Sequence, residues 1–247
     1  MVLADIRQIS PDAVFHGGHL ADSGSSPVEV LDTIRDLGWP GVMGNTDEML
    51  VRPSSLEQFA NASSAPPAIW DTVREIAIST RQRLGDDRLA WISNLTMVLS
   101  HDAFALVHAT PQSCWRAPSE SASETDLELV YGSLARPTDV FGHSHCLFIR
   151  MFAAGTKTLI NAGSAGLSYD GDPRASYFVL DDEVPTVRRI AYDVDRELTA
   201  LAVSELPGAA WTSNMLRQHS PNAVIDCHEQ CDLALTIVLR DAVLFAN

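Results

Sequence analysis

Cysteine is scarce in this chain, and its placement argues against two ways of stabilising a small domain. The 247 residues include 4 cysteines, at positions 114, 146, 227 and 231. They are too few and too irregularly spaced for a disulfide framework. No two of them have the C-x-x-C spacing of a zinc knuckle. We therefore expect the chain to work in a reducing cytoplasm.

Basic residues and long apolar runs are also few. Lys and Arg together number 17 against 32 Asp and Glu, which gives a formal net charge of −15. A surface of that sign repels nucleic-acid backbones and anionic membranes unless bound cations or a basic patch override it. No run reaches the roughly 18 apolar residues of a membrane span, and the first five residues lack a basic leader. The sequence predicts a soluble, unexported cytoplasmic protein without nucleic-acid or membrane partners.

The hydrophobic content and the length bound the architecture. Hydrophobic residues make up 46% of the chain, enough to bury a real core, and 247 residues fit one large domain or a domain with an appendage. We predict a domain over residues 1–195 and a mostly helical extension over 196–247.

Apolar spacing predicts helices and strands in the first part of the chain and mostly strands in the second. The strand, helix and strand predicted over residues 13–43 form a parallel unit. A polar stretch rich in Ser, Ala and Pro predicts a loop over 51–65. Predicted helices end near Pro11, run from Ser26 to Gly38 and over 67–84, and start at Asp86 and near Ser123. Predicted strands cover 13–18, 39–43, 95–99, 103–108, 138–142, 146–152, 157–161, 175–181 and 186–192.

Polar side chains follow these apolar runs where strands end. Alternate residues of an extended backbone point the same way, so His143 and His145 can approach one ligand. The carboxyl ends of strands in α/β folds converge on one place. Imidazole nitrogens and an Asn carbonyl suit Mn, Fe, Zn or Ni, and we predict Mn, with one or two ions per chain. The residues concerned are His19, Asn45, Asp47, His108, His143 and His145.

The segments GNTDE, LVHA, GHSH and NAGSAGL occur in that order and resemble the calcineurin-like metallophosphoesterases, especially their small bacterial phosphodiesterase branch. The resemblance covers roughly residues 12–195. It implies a four-layer α/β/β/α sandwich of two mixed sheets flanked by helices. It also implies hydrolysis of a phosphoester by metal-activated water, with a small phosphoester as substrate.

The resemblance also assigns roles to residues. Asn45, His108 and His143 would hold one metal, and His145 would lie on the other. Thr46 fills the place where many relatives keep a histidine that protonates the leaving group, and we predict that Thr46 and Asp47 contact substrate. The turn from Gly163 to Gly166, together with Asn161, would form a wall of the site.

Two departures from the family pattern weaken the expectation of two metals. The family's first strand carries a D-x-H motif, and this sequence has no such segment, which predicts an uncovered sheet edge. His19 stands where the family has an aspartate that bridges both metals, and an imidazole nitrogen binds only one metal. Asp22 and Asp5 are alternative sources of a carboxylate ligand. The local sequence instead places Asp22 in a loop or at a helix cap and Asp5 on a helix. The chain is thus either an impaired phosphoesterase, a metal- or phosphate-binding domain without turnover, or a self-associating scaffold, in each case with a homodimer as an option.

Other candidates have plainer interpretations. His16 lies inside a predicted strand and is expected to be a packed core histidine. Trp115 and Arg116 follow the strand that leads to His108. They either line a substrate groove or belong to an ordinary surface loop.

Overall fold

The computed structural model describes residues 1–219 and 236–238, which form a mixed α/β fold. A five-stranded mixed sheet has the order β2-β3-β4-β6-β5, and β7 and β8 form an antiparallel pair. The central pairs β3-β4 and β4-β6 are parallel, while β2 and β5 run antiparallel at the two edges. The strands are β1 Val14–His16, β2 Val98–Ser100, β3 Phe104–Val107, β4 Thr138–Phe141, β5 Phe148–Phe152, β6 Lys157–Asn161, β7 Ala175–Asp181, β8 Val184–Ile190 and β9 Thr236–Val238.

Alternation along the strands divides the buried residues between two faces of the five-stranded sheet. Phe104 and Leu106 pack with Phe15 and Phe178 in a core between the sheets. Their neighbours on β3, among them Val107, face helix α6 in a second core. The described helices are α1 Val2–Ile9, α2 Pro27–Asp36, α3 Asn45–Val51, α4 Pro53–Asn61, α5 Pro67–Ile92, α6 Glu124–Tyr131, α7 Val194–Val203 and α8 Ala209–Gln218. The predicted fold, two sheets flanked by helices, is confirmed.

Tertiary packing overrides the sequence prediction in two segments. Residues 53–61 form α4 rather than a loop, because Pro53 starts a helix that buries Leu56 and Phe59 in the helical core. The predicted strand at 39–43 makes only isolated parallel bridges, from Gly41 to His16 and from Val42 to Thr96. The segment 39–43 nevertheless lies alongside β1, because Gly41 bridges to His16.

The long helix α5 contains the break that the sequence predicted near residue 85. Gly85 has φ 70° and ψ 170°, a conformation outside the helix that suits glycine. The two helical halves on either side correspond to the predicted helices over 67–84 and from Asp86. The helix predicted near Ser123 is also confirmed, since the Ser123 side chain accepts a hydrogen bond from the Asp126 N–H at the start of α6.

Two helices and a short strand represent the predicted C-terminal extension. Helices α7 and α8 agree with the helical prediction, whereas β9 is a strand that pairs antiparallel with β1, Val14 opposite Val238. One edge of β1 is therefore paired with the backbone of β9. The rest of the extension lies outside the described residues. None of the described helices combines the length and the apolar character that crossing a membrane requires.

Candidate metal centre

Three of the predicted metal-binding histidines follow strands at one end of the sheets, where β6 also ends with Asn161, a residue predicted to form a wall of the site. His19 follows β1, His108 follows β3, His143 follows β4, and Asn161 is the last residue of β6. Strands β3, β4 and β6 are parallel, so their carboxyl ends lie at the same edge. The segment beside β1 leads at the same end into α3, whose first residue is Asn45.

Three histidines meet at this edge. His19, His108 and His143 are buried, and each offers a ring nitrogen within 4.8 Å of the other two. The ring centroids of His19 and His108 are 4.2 Å apart, and those of His108 and His143 are 5.3 Å apart. The side-chain carbonyl oxygen of Asn45 contacts both His19 Nε2 and, at 3.0 Å, His108 Nε2. The structure thus brings together four of the predicted metal-binding residues.

The hydrogen bonds of His108 determine which of its nitrogens is free to bind a cation. Its Nδ1 lies 2.6 Å from the Gly17 carbonyl oxygen, so Nδ1 carries the proton and donates. Burial lowers the pKa of His108 to about 4, which leaves the ring neutral near pH 7. Nε2 then presents a lone pair to the Asn45 carbonyl oxygen. Two facing acceptors repel each other, and a cation relieves that repulsion, so this donor set fits a divalent metal.

Burial also keeps the other two histidines of the cluster neutral. It lowers the pKa of His19 and of His143 well below the ordinary value, and the neighbouring histidine rings lower both further. A neutral imidazole is the form that binds metals. The cluster is therefore ready to accept a cation at neutral pH without first losing protons.

His145 lies beside the three-histidine cluster rather than within it. Its ring centroid is 5.7 Å from that of His19, and it stacks on Tyr169 at 4.6 Å. Its Nδ1 donates to the Leu167 carbonyl oxygen at 2.5 Å. Its Nε2 is buried and has no hydrogen-bond partner in the part of the chain that the structure describes. A lone pair oriented in this way suits the predicted role as a further metal ligand.

The backbone around the site is strained. His19, His143 and His145 have φ values of 58°, 64° and 55°, in the left-handed region that non-glycine residues seldom occupy. Such conformations cost of order 1–3 kcal/mol each and persist where the surrounding structure holds them. The strain falls on three of the four histidines predicted to bind metal.

Hydrogen bonds from β6 hold the GHSH loop in this conformation. Asn161 Nδ2 donates to the Gly142 carbonyl oxygen at 2.7 Å and to Ser144 Oγ at 2.8 Å. The following turn is stabilised by Ser164, whose hydroxyl accepts from the Leu167 N–H at 2.7 Å. Asn161 and this turn therefore hold the loop that carries His143 and His145 in place.

Thr46 and Asp47, the predicted substrate contacts, are both buried. Asp47 accepts three backbone hydrogen bonds, from the N–H groups of His19, Leu20 and Gly44 at 2.7–2.9 Å. It thereby joins the loop after β1 to the start of α3. The Thr46 hydroxyl makes no hydrogen bond within the described residues. Substrate contact by this pair stays a prediction.

No carboxylate joins the histidine cluster within residues 1–219 and 236–238. Asp5 lies on α1 and pairs with Arg188 at 2.8 Å. Asp22 is buried outside the cluster and accepts from the Ser23 hydroxyl at 2.7 Å, and burial raises its pKa to about 7. The described ligands are therefore those of a centre rich in nitrogen, without a bridging carboxylate.

Sequence reasoning missed the backbone groups that orient the histidines. The carbonyl oxygens of Gly17 and Leu167 fix the tautomers of His108 and His145. Every residue has a carbonyl oxygen, so no signal in a single sequence marks these two. His16, by contrast, is fully buried, as predicted for a core histidine.

Comparisons with known proteins agree with the fold described above. A crystal structure of a metallophosphoesterase from Sphaerobacter thermophilus superposes with a TM-score of 0.67 at 21% identity, covering 88% of this chain and 92% of that one. A hypothetical protein from Pyrococcus horikoshii OT3 superposes with a TM-score of 0.70 at 14% identity, covering 87% and 89%. At these identities the likeness establishes the fold.

A sequence comparison finds one further relative. An uncharacterized protein of Methanocaldococcus jannaschii is 25% identical over 225 residues, which cover 83% of this chain and 87% of the relative. No family model matches the sequence.

Proposed function

Because this chain has the fold of the calcineurin-like metallophosphoesterases, we propose that it hydrolyses the phosphoester bonds of small substrates, as a phosphodiesterase or phosphatase in the cytoplasm. The observation that carries the proposal is the cluster of three buried, neutral histidines around the Asn45 carbonyl oxygen. We assign His19, His108, His143 and Asn45 to one divalent cation, with Mn as first choice. A divalent cation supplies Lewis-acid chemistry, since it polarises a phosphoryl oxygen and lowers the pKa of water.

The residues of the chain have distinct tasks in this proposal. Asn45 and the three histidines bind the cation, while Gly17 and Asn161 orient the ligands through hydrogen bonds. His145 directs the Nε2 lone pair beside the cluster and serves as a ligand of a second cation.

A metal-binding domain with little turnover is the second candidate. The absence of a carboxylate from the cluster, among the residues described, favours it. The sequence resemblance implies a reaction in which an aspartate bridges two metals. In this chain His19 stands in the place of that aspartate. The two candidates share the metal and differ in hydrolysis.

The test compares metal binding and hydrolysis in the same preparations. Wild-type chain and His143→Ala are assayed with bis(p-nitrophenyl) phosphate, with and without Mn, and Mn affinity is measured by calorimetry. Loss of a direct ligand is expected to weaken Mn binding by more than the roughly 10- to 100-fold that loss of an outer partner costs. The matched control is His101→Ala, since His101 lies between β2 and β3 and stacks on Phe104 instead.

Each outcome selects one function. Hydrolysis that requires Mn and disappears only in His143→Ala supports the phosphoesterase. Mn binding that depends on His143 without hydrolysis supports the binding domain. An absence of Mn binding by the wild-type chain rules out both, and leaves the self-associating scaffold, which concentration-dependent sedimentation would reveal as a homodimer.

A further inference from the structure

A groove adjoins the metal centre and is lined partly by residues that have no role in metal binding. It has a volume of about 330 Å³ and is lined by Glu48, Arg52, Phe59, Met97, Trp115 and Arg116, among others. Glu48 lies on α3, three residues after Asn45. The main chain of Trp115 hydrogen-bonds to His143. The groove is therefore connected to the histidine cluster in two places, through helix α3 and through the contact between Trp115 and His143.

The acidic group of the groove is already neutralised. Glu48 forms an ion pair with Arg52 and accepts a hydrogen bond from Trp115 Nε1. The Cys114 thiol lies 3.5 Å from the same carboxylate oxygen. These contacts keep Glu48 and Arg52 engaged with each other, so neither offers a free charge to a ligand.

Arg116 is different, because its charge has no carboxylate partner in the described part of the chain. Its guanidinium lies 4.9 Å from the ring centroid of Phe59, a cation–π contact that positions the group while leaving its N–H donors available. Phe59 is itself held by Trp115, with ring centroids 4.8 Å apart.

The location of Arg116 relates it to the metal centre. It directly follows Trp115, and its positive charge contributes to lowering the pKa of His143, after burial and His108. A cation in this place attracts anions toward a surface whose overall charge repels them. A volume of about 330 Å³ is at the lower end of small-molecule sites, so the groove has room for the part of a substrate beyond the phosphate.

We infer that Arg116 binds a second anionic group of the substrate, so that the site prefers organic phosphates that carry a further phosphate over those that carry one. This inference rests on the proposed function, which places the first phosphate of the substrate at the metal centre. The guanidinium donates paired N–H groups to phosphate oxygens, a geometry that lysine cannot reproduce. Arg116 is thus a specificity residue of the site.

The first experiment measures binding without turnover. Adenosine 3′,5′-bisphosphate is titrated into metal-free chain by calorimetry for wild type, Arg116→Gln and Arg116→Lys. Loss of the charged hydrogen bonds is expected to weaken binding about tenfold or more in Arg116→Gln, with partial recovery in Arg116→Lys. Arg7→Gln, an exposed arginine on α1, is the matched control and should bind as wild type does.

The second experiment uses the Mn-loaded chain and compares the hydrolysis of adenosine 3′,5′-bisphosphate with that of adenosine 3′-monophosphate. Arg116→Gln should raise KM for the bisphosphate about tenfold, leave KM for the monophosphate nearly unchanged and change kcat little.

The two experiments separate the inference from the proposed function. Weaker bisphosphate binding by Arg116→Gln than by wild type supports the inference, even if no preparation hydrolyses either compound. The absence of hydrolysis in every preparation would instead contradict the proposed phosphoesterase activity. Equal bisphosphate binding by wild type and Arg116→Gln overturns the inference, whether or not hydrolysis is observed. Circular dichroism spectra of the variants verify that this exposed substitution leaves the fold intact.

Discussion

Gly18 lies in the loop that carries His19, and replacing it tests how tightly the metal centre is built. It lies between Gly17, which orients His108, and His19. Its φ is +92°, and a Cβ built there would lie 2.5 Å from the Gly44 nitrogen and 2.8 Å from its Cα. Both neighbours are backbone atoms, so no flexible side chain can move aside.

The cost of Gly18→Ala has two parts. An alanine at positive φ loses about 1–2 kcal/mol relative to glycine. Overlap with a packed backbone adds about 1–3 kcal/mol. The sum is about 2–5 kcal/mol of unfolding free energy. The shift must also displace His108, whose Nδ1 would lie 3.0 Å from the new Cβ, so Mn affinity should fall together with stability.

Gly38 provides a control within the same chain. It also has a positive φ, +66°, but a Cβ there meets no atom within 4 Å. Gly38→Ala should therefore lose only the conformational part, about 1–2 kcal/mol, and leave Mn affinity unchanged. Urea unfolding gives both values from the midpoint and slope. If the two variants lose equal stability and bind Mn alike, the close approach of Gly18 to Gly44 is not a constraint on the site.

Two further predictions concern buried ionisable groups. Burial lowers the pKa of His16 to about 3 and that of His108 to about 4. Below about pH 6.5 the unfolded chain therefore binds more protons at these two histidines than the folded chain does. The free energy of unfolding should consequently decline as the pH falls from 6.5 toward 4. Urea midpoints measured across this range should show a smaller loss in His16→Gln than in wild type, and parallel curves would contradict the assignment. Lys157→Met should cost about 3–5 kcal/mol, because it leaves the buried Asp139 carboxylate, now 2.6 Å from Nζ, without its counter-ion. Thermal unfolding of Lys157→Met beside Lys157→Met/Asp139→Asn checks this, since neutralising Asp139 should restore part of the loss.

The sequence predicted those parts of the fold that depend on local pattern. The apolar runs FALV and DVF predicted buried strands, and the pattern around Gly85 predicted the break in α5. The loop predicted over 51–65 was wrong, because the polar residues around Leu56 and Phe59 obscured a helix that the helical core stabilises. Local propensity is a weak guide where two apolar side chains and a neighbouring surface decide the conformation.

For the candidate site, the sequence by itself determined which chemistry is available. Histidines and an asparagine after apolar runs supply neutral nitrogen and oxygen ligands, and strand order brings them to one edge of the sheets. Only the tertiary structure decided which of them meet. It placed His19, His108 and His143 around Asn45, put His145 beside them, and engaged Asp47 with backbone N–H groups. It also left Arg116 without a carboxylate partner among the described residues. Distances and tautomers arise from contacts between segments far apart in the chain, such as Gly17 and His108, which are separated by 91 residues. Residue order alone does not encode such contacts in any local pattern.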